Sequence, residues 1–282
     1  MANTDKMPEL SVELLLNTKS VSVRDIVCRG GCRHRSPEEC ATATHMVFPY
    51  RGVYVRHVGR TEVVGEANQV LFFNESESYQ ISHPVGGGDS CISLALGDPE
   101  LRELMPKQYA RESGAAAFKE HRLRIDSSAQ ALVARLRHGL VRRVIGSLEA
   151  ETLALNLVRH TLGVGADRPA RPSVGRQKLV DRAKLVLSSD PTRRWTLADV
   201  ASEVGVSPVY LTQVFQQVEG MPLYRYQLRL RLARALDLLG HCEDLSALSL
   251  DLGFSSHSHF TSAFRQTYGR TPADFQRSLR PS

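Results

Sequence analysis

The sequence predicts an α+β chain of two domains, an N-terminal antiparallel β barrel with accompanying helices and a C-terminal all-α domain. Three observations carry the prediction. Residues 21–97 are a series of short β-branched and aromatic runs, the remainder carries apolar positions three and four apart, and one pattern recurs near the C-terminus at an offset of 48 residues. A length of 282 residues suits two domains, with 42% apolar and 23% charged residues, 20 Gly and 13 Pro, which excludes a disordered or collagen-like chain. No apolar run approaches the roughly 20 residues that cross a bilayer. Residues 1–20 lack the basic start, long apolar stretch and small-residue cleavage site of a secretory signal. The expectation is therefore a cytoplasmic protein, in which five cysteines, an odd number, argue for metal binding, redox chemistry or burial before disulfides.

The strand-like runs are VSVRDIVC, HMVFPY, GVYVRHV, NQVLFF, YQIS and CISLAL, separated by Gly-, Pro- and Asn-rich turns. Residues 98–162 read as helices. DPELRELM opens with Asp98-Pro99, read as a cap and a first-turn proline, and Ser127–His138 and Ser147–Leu162 carry helical periodicity through Leu148, Leu155, Leu157 and Leu162. The segment GVGADRPARPSVGR, Gly163 to Arg176, has no periodicity and reads as a linker. The expected division is thus 1–165 for the first domain, 166–176 for the linker and 177–282 for the second.

In the repeat, Leu197…Val200…Val204-Gly205-Val206-Ser207 matches Leu245…Leu248…Leu252-Gly253-Phe254-Ser255. With one residue inserted, Leu211, Phe215, Gly220 and Tyr226 match Phe260, Phe264, Gly269 and Phe275. Each unit reads as a helix, a turn and a second helix. Gly205 and Gly253 supply the left-handed residue that ends the first helix, and Ser207 and Ser255 are read as caps of the second. Net charge is +6 overall. From Ser173 onward 14 Lys and Arg face 10 Asp and Glu, an excess per residue about threefold that of the preceding part, which favours an anionic partner there.

The segment from Gln177 to Ser282 resembles the double helix-turn-helix domain of the AraC/XylS family of bacterial transcription regulators. The resemblance rests on the first unit, on Arg231-Leu232…Ala235…Leu238-Leu239, and most densely on Leu252-Gly253-Phe254-Ser255-Ser256…Phe260…Phe264-Arg265…Tyr268-Gly269-Arg270-Thr271-Pro272…Phe275. It implies that each second helix enters a major groove. The residues then expected at base edges or phosphates are Val209, Thr212, Gln213 and Gln216 on the first, and His257, Ser258, Thr261, Ser262 and Arg265 on the second. Leu211, Phe215, Phe260 and Phe264 lie opposite and are expected in the core. Of the connecting helix's Arg225, Arg229, Arg231 and Arg234, some are expected on phosphate, while Arg231 matches a family position that more often ties the two halves together.

Residues 21–97 resemble the cupin-like sensor domain that often precedes this DNA-binding domain, which implies a cupin-like barrel. The two-histidine, one-glutamate signature of metal-dependent cupin enzymes is absent, so enzyme chemistry is not expected. Tyr54, Phe72 and His83 are the candidates for an organic-ligand pocket. The run Cys28-Arg-Gly-Gly-Cys32-Arg-His34, with His83 and Cys91 farther on, holds the ligand types that zinc favours, and Cys28, Cys32, His83 and Cys91 are the candidate zinc ligands. Buried inert cysteines are the alternative. The Cys28-Arg-x-x-Cys32-Arg run also resembles the methyl-accepting zinc site of the Ada alkylation-repair proteins, in which a cysteine is a sacrificial nucleophile, although the second cysteine pair of that family is missing here.

The function expected is a DNA-binding transcription regulator, activator or repressor, controlled by a small-molecule, metal or redox signal. The partners expected are double-stranded DNA, RNA polymerase and a second copy of the chain, the homodimer contact being placed in helices between residues 98 and 162.

Overall fold

The computed structural model describes residues 10–30, 34–111, 116–163 and 172–279. It contains two compact units, residues 1–122 and 123–282. The first is a pair of antiparallel sheets. A six-stranded sheet has the order β1-β2-β9-β4-β7-β10, and a four-stranded sheet the order β3-β8-β5-β6. The strands are β1 (Leu10–Asn17), β2 (Val21–Cys28), β3 (Glu39–Cys40), β4 (His45–Gly52), β5 (Tyr54–Val58), β6 (Thr61–Gly65), β7 (Gln69–Phe73), β8 (Ser78–Ser82), β9 (Asp89–Leu96) and β10 (Arg122–Arg124). Among the described residues the two sheets are not joined into a closed barrel. Val47, Leu71, Phe73 and Cys91 of the larger sheet meet Tyr54 and Val63 of the smaller in one buried cluster. Alternation then sends Phe72 to the opposite face, where it stacks on Phe118 at 4.0 Å between ring centres. The six predicted runs are all strands, while β1, β3, β6 and β10 are additions to them, the last interrupting the stretch 98–162 expected to be helical. Helix α1 (Asp98–Leu104) follows β9; its N-cap is Gly97 and makes no side-chain cap, so Asp98 opens the helix instead of capping it.

The second unit holds α2 (Ser127–Val141), α3 (Ser147–Gly163), α4 (Val174–Ser189), α5 (Leu197–Val204), α6 (Pro208–Glu219), α7 (Leu223–Leu238), α8 (Leu245–Asp251), α9 (His257–Tyr268) and α10 (Pro272–Arg277). Its boundary differs from the expected one. The cause is α2 with the residues that lead into it, which are bonded to α7: His138 donates to the Leu236 carbonyl at 2.9 Å, Arg137 pairs with Asp237 at 2.8 Å, and Arg229 donates to the carbonyl of Ile125, just before α2, at 2.8 Å. Residues 166–171 of the expected linker lie outside the described residues, and its last three residues already belong to α4, whose N-cap is Ser173. On α3, Leu157 and Leu162 are buried as predicted, whereas Leu148 is 78% exposed.

Two apolar cores run through this unit. One gathers Leu179, Val180 and Ala183 of α4 with Val200, Leu211, Phe215 and Tyr226. The other gathers Leu232, Leu236 and Leu239 with Phe254, Phe260, Phe264 and Phe275. The first contains an ion pair at 2.7 Å between Lys184 of α4 and Glu219 of α6, both essentially buried, with the ammonium also over the Tyr226 ring. Removing one partner strands a charge in the core. Lys184→Met is expected to destabilise the unit by roughly 3–5 kcal/mol, and the double change Lys184→Met/Glu219→Leu to recover most of it, in urea unfolding. A double variant no more stable than the single one would refute the account.

His138 provides a pH test. Burial pushes its imidazole down to about 4 from 6.5, outweighing the bond to Leu236. Below pH 6.5 the unfolded chain therefore binds a proton that the folded chain refuses, so stability is full above that pH and falls as pH drops toward 4. The loss expected across this window is about 2–3 kcal/mol. In acid unfolding curves, His138→Gln, which keeps a donor for the Leu236 carbonyl, is expected to remove that part of the slope.

Candidate nucleic-acid interface and sensor core

Each helix-turn-helix unit is built from local signals. In the first, Thr196 and Asp199 form a capping box at the start of α5, Gly205 ends it in the left-handed conformation, and Ser207 caps α6 by accepting from the Tyr210 amide, with Pro208 at the first position. In the second, Gly253 has φ +78°, and the cap of α9 is Ser256, not Ser255. The residue inserted in the repeat therefore lies in the turn itself. Ser255 instead bonds the His259 ring at 3.1 Å.

These turns leave a polar face outward on each second helix. Val209, Thr212, Gln213 and Gln216 are exposed on α6; His257, Ser258, Ser262 and Arg265 are exposed on α9, with Thr261 half-buried. Leu211, Phe215, Phe260 and Phe264 are fully buried. The Thr212 hydroxyl donates to the Pro208 carbonyl at 2.9 Å, so its proton is directed inside the helix. Thr261 and His257 approach each other at 3.4 Å across one turn. Tyr210, 46% exposed and one turn before Gln213, belongs on this surface and was missed because an aromatic at that spacing reads as core. The exposed cations Arg194, just before α5, and Arg270, just after α9, were missed because they lie outside the helices.

The two units are tied by Arg231 of α7. Its guanidinium donates to the carbonyls of Pro191 (3.1 Å), Thr192 (3.3 Å) and Arg193 (2.8 Å), ahead of the first unit, and to that of Gly253 (3.3 Å) in the turn of the second. A Cβ on Gly253 would stand 2.4 Å from the Thr192 carbonyl oxygen, so the close approach needs glycine on two counts. The other connecting-helix arginines divide. Arg229 bonds Ile125, Arg234 pairs with Asp237, and Arg225 remains exposed.

In the first unit the structure brings together part of the predicted cysteine site. Antiparallel register places Cys28 directly opposite Asp89, and the loop from His83 returns alongside. Gly88 (φ +65°) allows this, since a Cβ there would meet the Cys28 carbonyl oxygen at 1.9 Å. His83 Nε2 lies 2.6 Å from Asp89 Oδ1, and Cys28, His83 and Asp89, all buried, hold their ligand atoms within 4.8 Å of one another. Burial would depress the His83 imidazole, but hydrogen bonds to Asp89 and Cys28 reverse this and hold it at about 9. Asp89 was missed because its nearness to Cys28 follows from strand register alone. Cys32 lies outside the described residues. Cys91 is buried two residues along from Asp89 on the same face, its thiol pushed up by burial, and is not in that group. Of the pocket candidates, Tyr54 lies in the intersheet core, whereas Phe72 faces away from it and cannot line the same cavity.

The family model described as "Helix-turn-helix domain" matches residues 200–278. Over 84 residues, 29% of this chain, the sequence is 36% identical to the regulatory protein PocR of Salmonella typhimurium and covers 28% of that relative. Over 160 residues it is 29% identical to the HTH-type transcriptional activator RhaR of Klebsiella pneumoniae, covering 55% of this chain and 56% of the relative. A solved transcriptional regulator of Chromobacterium violaceum with an AraC-type DNA-binding domain is 30% identical over 39% of this chain and 100% of that one, with a TM-score of 0.36. The chain thus spans about half, or less, of these curated relatives.

Replacing Arg231 by Ala leaves four carbonyls without their charged donor. The expected loss is roughly 2–3 kcal/mol, with faster amide exchange in residues 190–195. Unchanged exchange there would show that α7 alone sets the pose of the two units.

Proposed function

We propose that this chain, a member of the AraC/XylS family by its C-terminal helix-turn-helix domain, is a sequence-specific DNA-binding transcription regulator whose N-terminal β unit senses a signal. The observation that carries the reading is the pair of glycine-turned, serine-capped units with exposed α6 and α9, held in one pose by Arg231. Amides of Gln213 and Gln216 suit adenine, the Arg265 guanidinium suits guanine, and the Val209 and Thr212 methyls suit thymine. Arg194, Arg225 and Arg270 are assigned to phosphates. With a single arginine on the two reading helices, base specificity per chain is modest, and a second copy on a paired half-site multiplies it. The face for that copy is drawn to α3, with exposed Leu148, since α2 is occupied by α7.

RhaR is named an activator, and activation through RNA polymerase is the direction proposed here. The cytoplasm, where the DNA lies, is the proposed place of action; no helix among the described residues is long and apolar enough to cross a membrane. A sacrificial-cysteine reading finds less support, because Cys28 is only 6% exposed and already bonded to His83.

Selection of the full chain on randomised duplexes should return a defined site. Gln213→Ala should then weaken binding by roughly 1–3 kcal/mol and relax preference at one base pair. No enriched sequence would refute the regulator, and an unaltered profile would remove Gln213 from the readout.

A further inference from the structure

We propose that Cys28, His83 and Asp89 form a binding site for a divalent transition-metal ion of the zinc class, and that this ion is the signal read by the N-terminal unit. The second clause rests on the regulator reading; the first does not. A thiol, an imidazole and a carboxylate from the end of β2, the β8–β9 loop and the start of β9 converge in the interior with their ligand atoms within 4.8 Å of one another. Sulfur, nitrogen and oxygen donors in one set are what zinc accepts, with Zn–S near 2.3 Å and Zn–N or Zn–O near 2.0–2.2 Å. On binding, the imidazole and the thiol would give up their protons to solvent, and the two negative charges then left on thiolate and carboxylate are ones that a divalent ion neutralises where water cannot.

A second observation points the same way. The Tyr54 hydroxyl, on a side chain only 3% exposed and packed in the same cluster as Cys91, has no hydrogen-bond partner. Buried hydroxyls are seldom left so. A hydroxyl of this kind supports a metal site by donating to a ligand oxygen or to water in the fourth position. Three protein ligands leave that position open, which suits an ion that exchanges with its surroundings. Gly88 lies close against the Cys28 backbone, so any shift of the His83–Gly88 loop on ion binding would be felt at the end of β2.

The test uses the full chain, stripped with a chelator and titrated with Zn²⁺ against a chromogenic competitor, then with Co²⁺ in an absorption spectrometer. The expected result is one ion per chain and a thiolate-to-cobalt charge-transfer band in the near ultraviolet. Cys28→Ser should abolish the band, Asp89→Asn should weaken affinity by at least about tenfold, and Cys40→Ser and Cys242→Ser should change neither. Failure to retain stoichiometric metal, or a band that survives Cys28→Ser, overturns the site. Should Cys28→Ser unfold the β unit, alkylation of the unaltered chain decides the matter. Zn²⁺ must slow modification of Cys28 in peptide mapping, and equal rates with and without it overturn the proposal. DNA binding by the stripped chain keeps the regulator reading whatever the metal result, while a chain that binds Zn²⁺ and no DNA keeps the site and loses the role.

Discussion

A single guanidinium ties the two halves of the C-terminal domain together across their backbones. The two helix-turn-helix units have separate apolar cores, one around Phe215 and Tyr226 and the other around Phe260 and Phe264. Helix α7 runs through both, giving Leu223 and Tyr226 to the first and Leu232 and Leu236 to the second. Arg231 of the same helix adds a polar tie, because its planar fork reaches three successive carbonyls before the first unit and one in the turn of the second. Lysine, with a compact ammonium, could not span those acceptors. Gly253 completes the joint by letting backbone meet backbone, and the capped turns then aim α6 and α9 without further long-range help.

The β unit obeys a different rule, in which register decides chemistry. Cys28 opposite Asp89 is one rung of the β2–β9 ladder, and a slip of one residue would send the thiol and the carboxylate to opposite faces. The larger sheet is buried on both faces at its centre, so its pattern tolerates little sliding. The polar cluster is thus fixed by apolar neighbours that take no part in its chemistry.

The same contrast explains what was legible in the sequence. Turns, the caps of the first helix-turn-helix unit and the core-facing pairs Leu211/Phe215 and Phe260/Phe264 could be read directly, because each depends on residues a few positions apart. The placing of the second cap on Ser255 failed because an offset of 48 hides the inserted residue until the turn is seen. Strand β1 escaped notice since Leu10, Val12 and Leu14 lie on an exposed edge, and apolar residues there give no core signal. The first-unit boundary escaped because α2 is bonded to residues about 100 positions away. The cysteine site was half legible: Cys28 and His83 are ligand types by themselves, whereas Asp89 becomes their neighbour only through folding.

The inserted residue in the second turn has a consequence for information. The two reading helices are related by a repeat yet are unlike in chemistry, α6 offering amides and methyls and α9 offering imidazole, hydroxyls and a guanidinium. Their turns differ in length as well. A protomer of this kind has a head and a tail along the duplex. Turned end for end on the same bases, it would set the wrong donors against the wrong edges. Under the proposed DNA reading, the word met by one copy therefore has a direction, whichever way a second copy is arranged beside it.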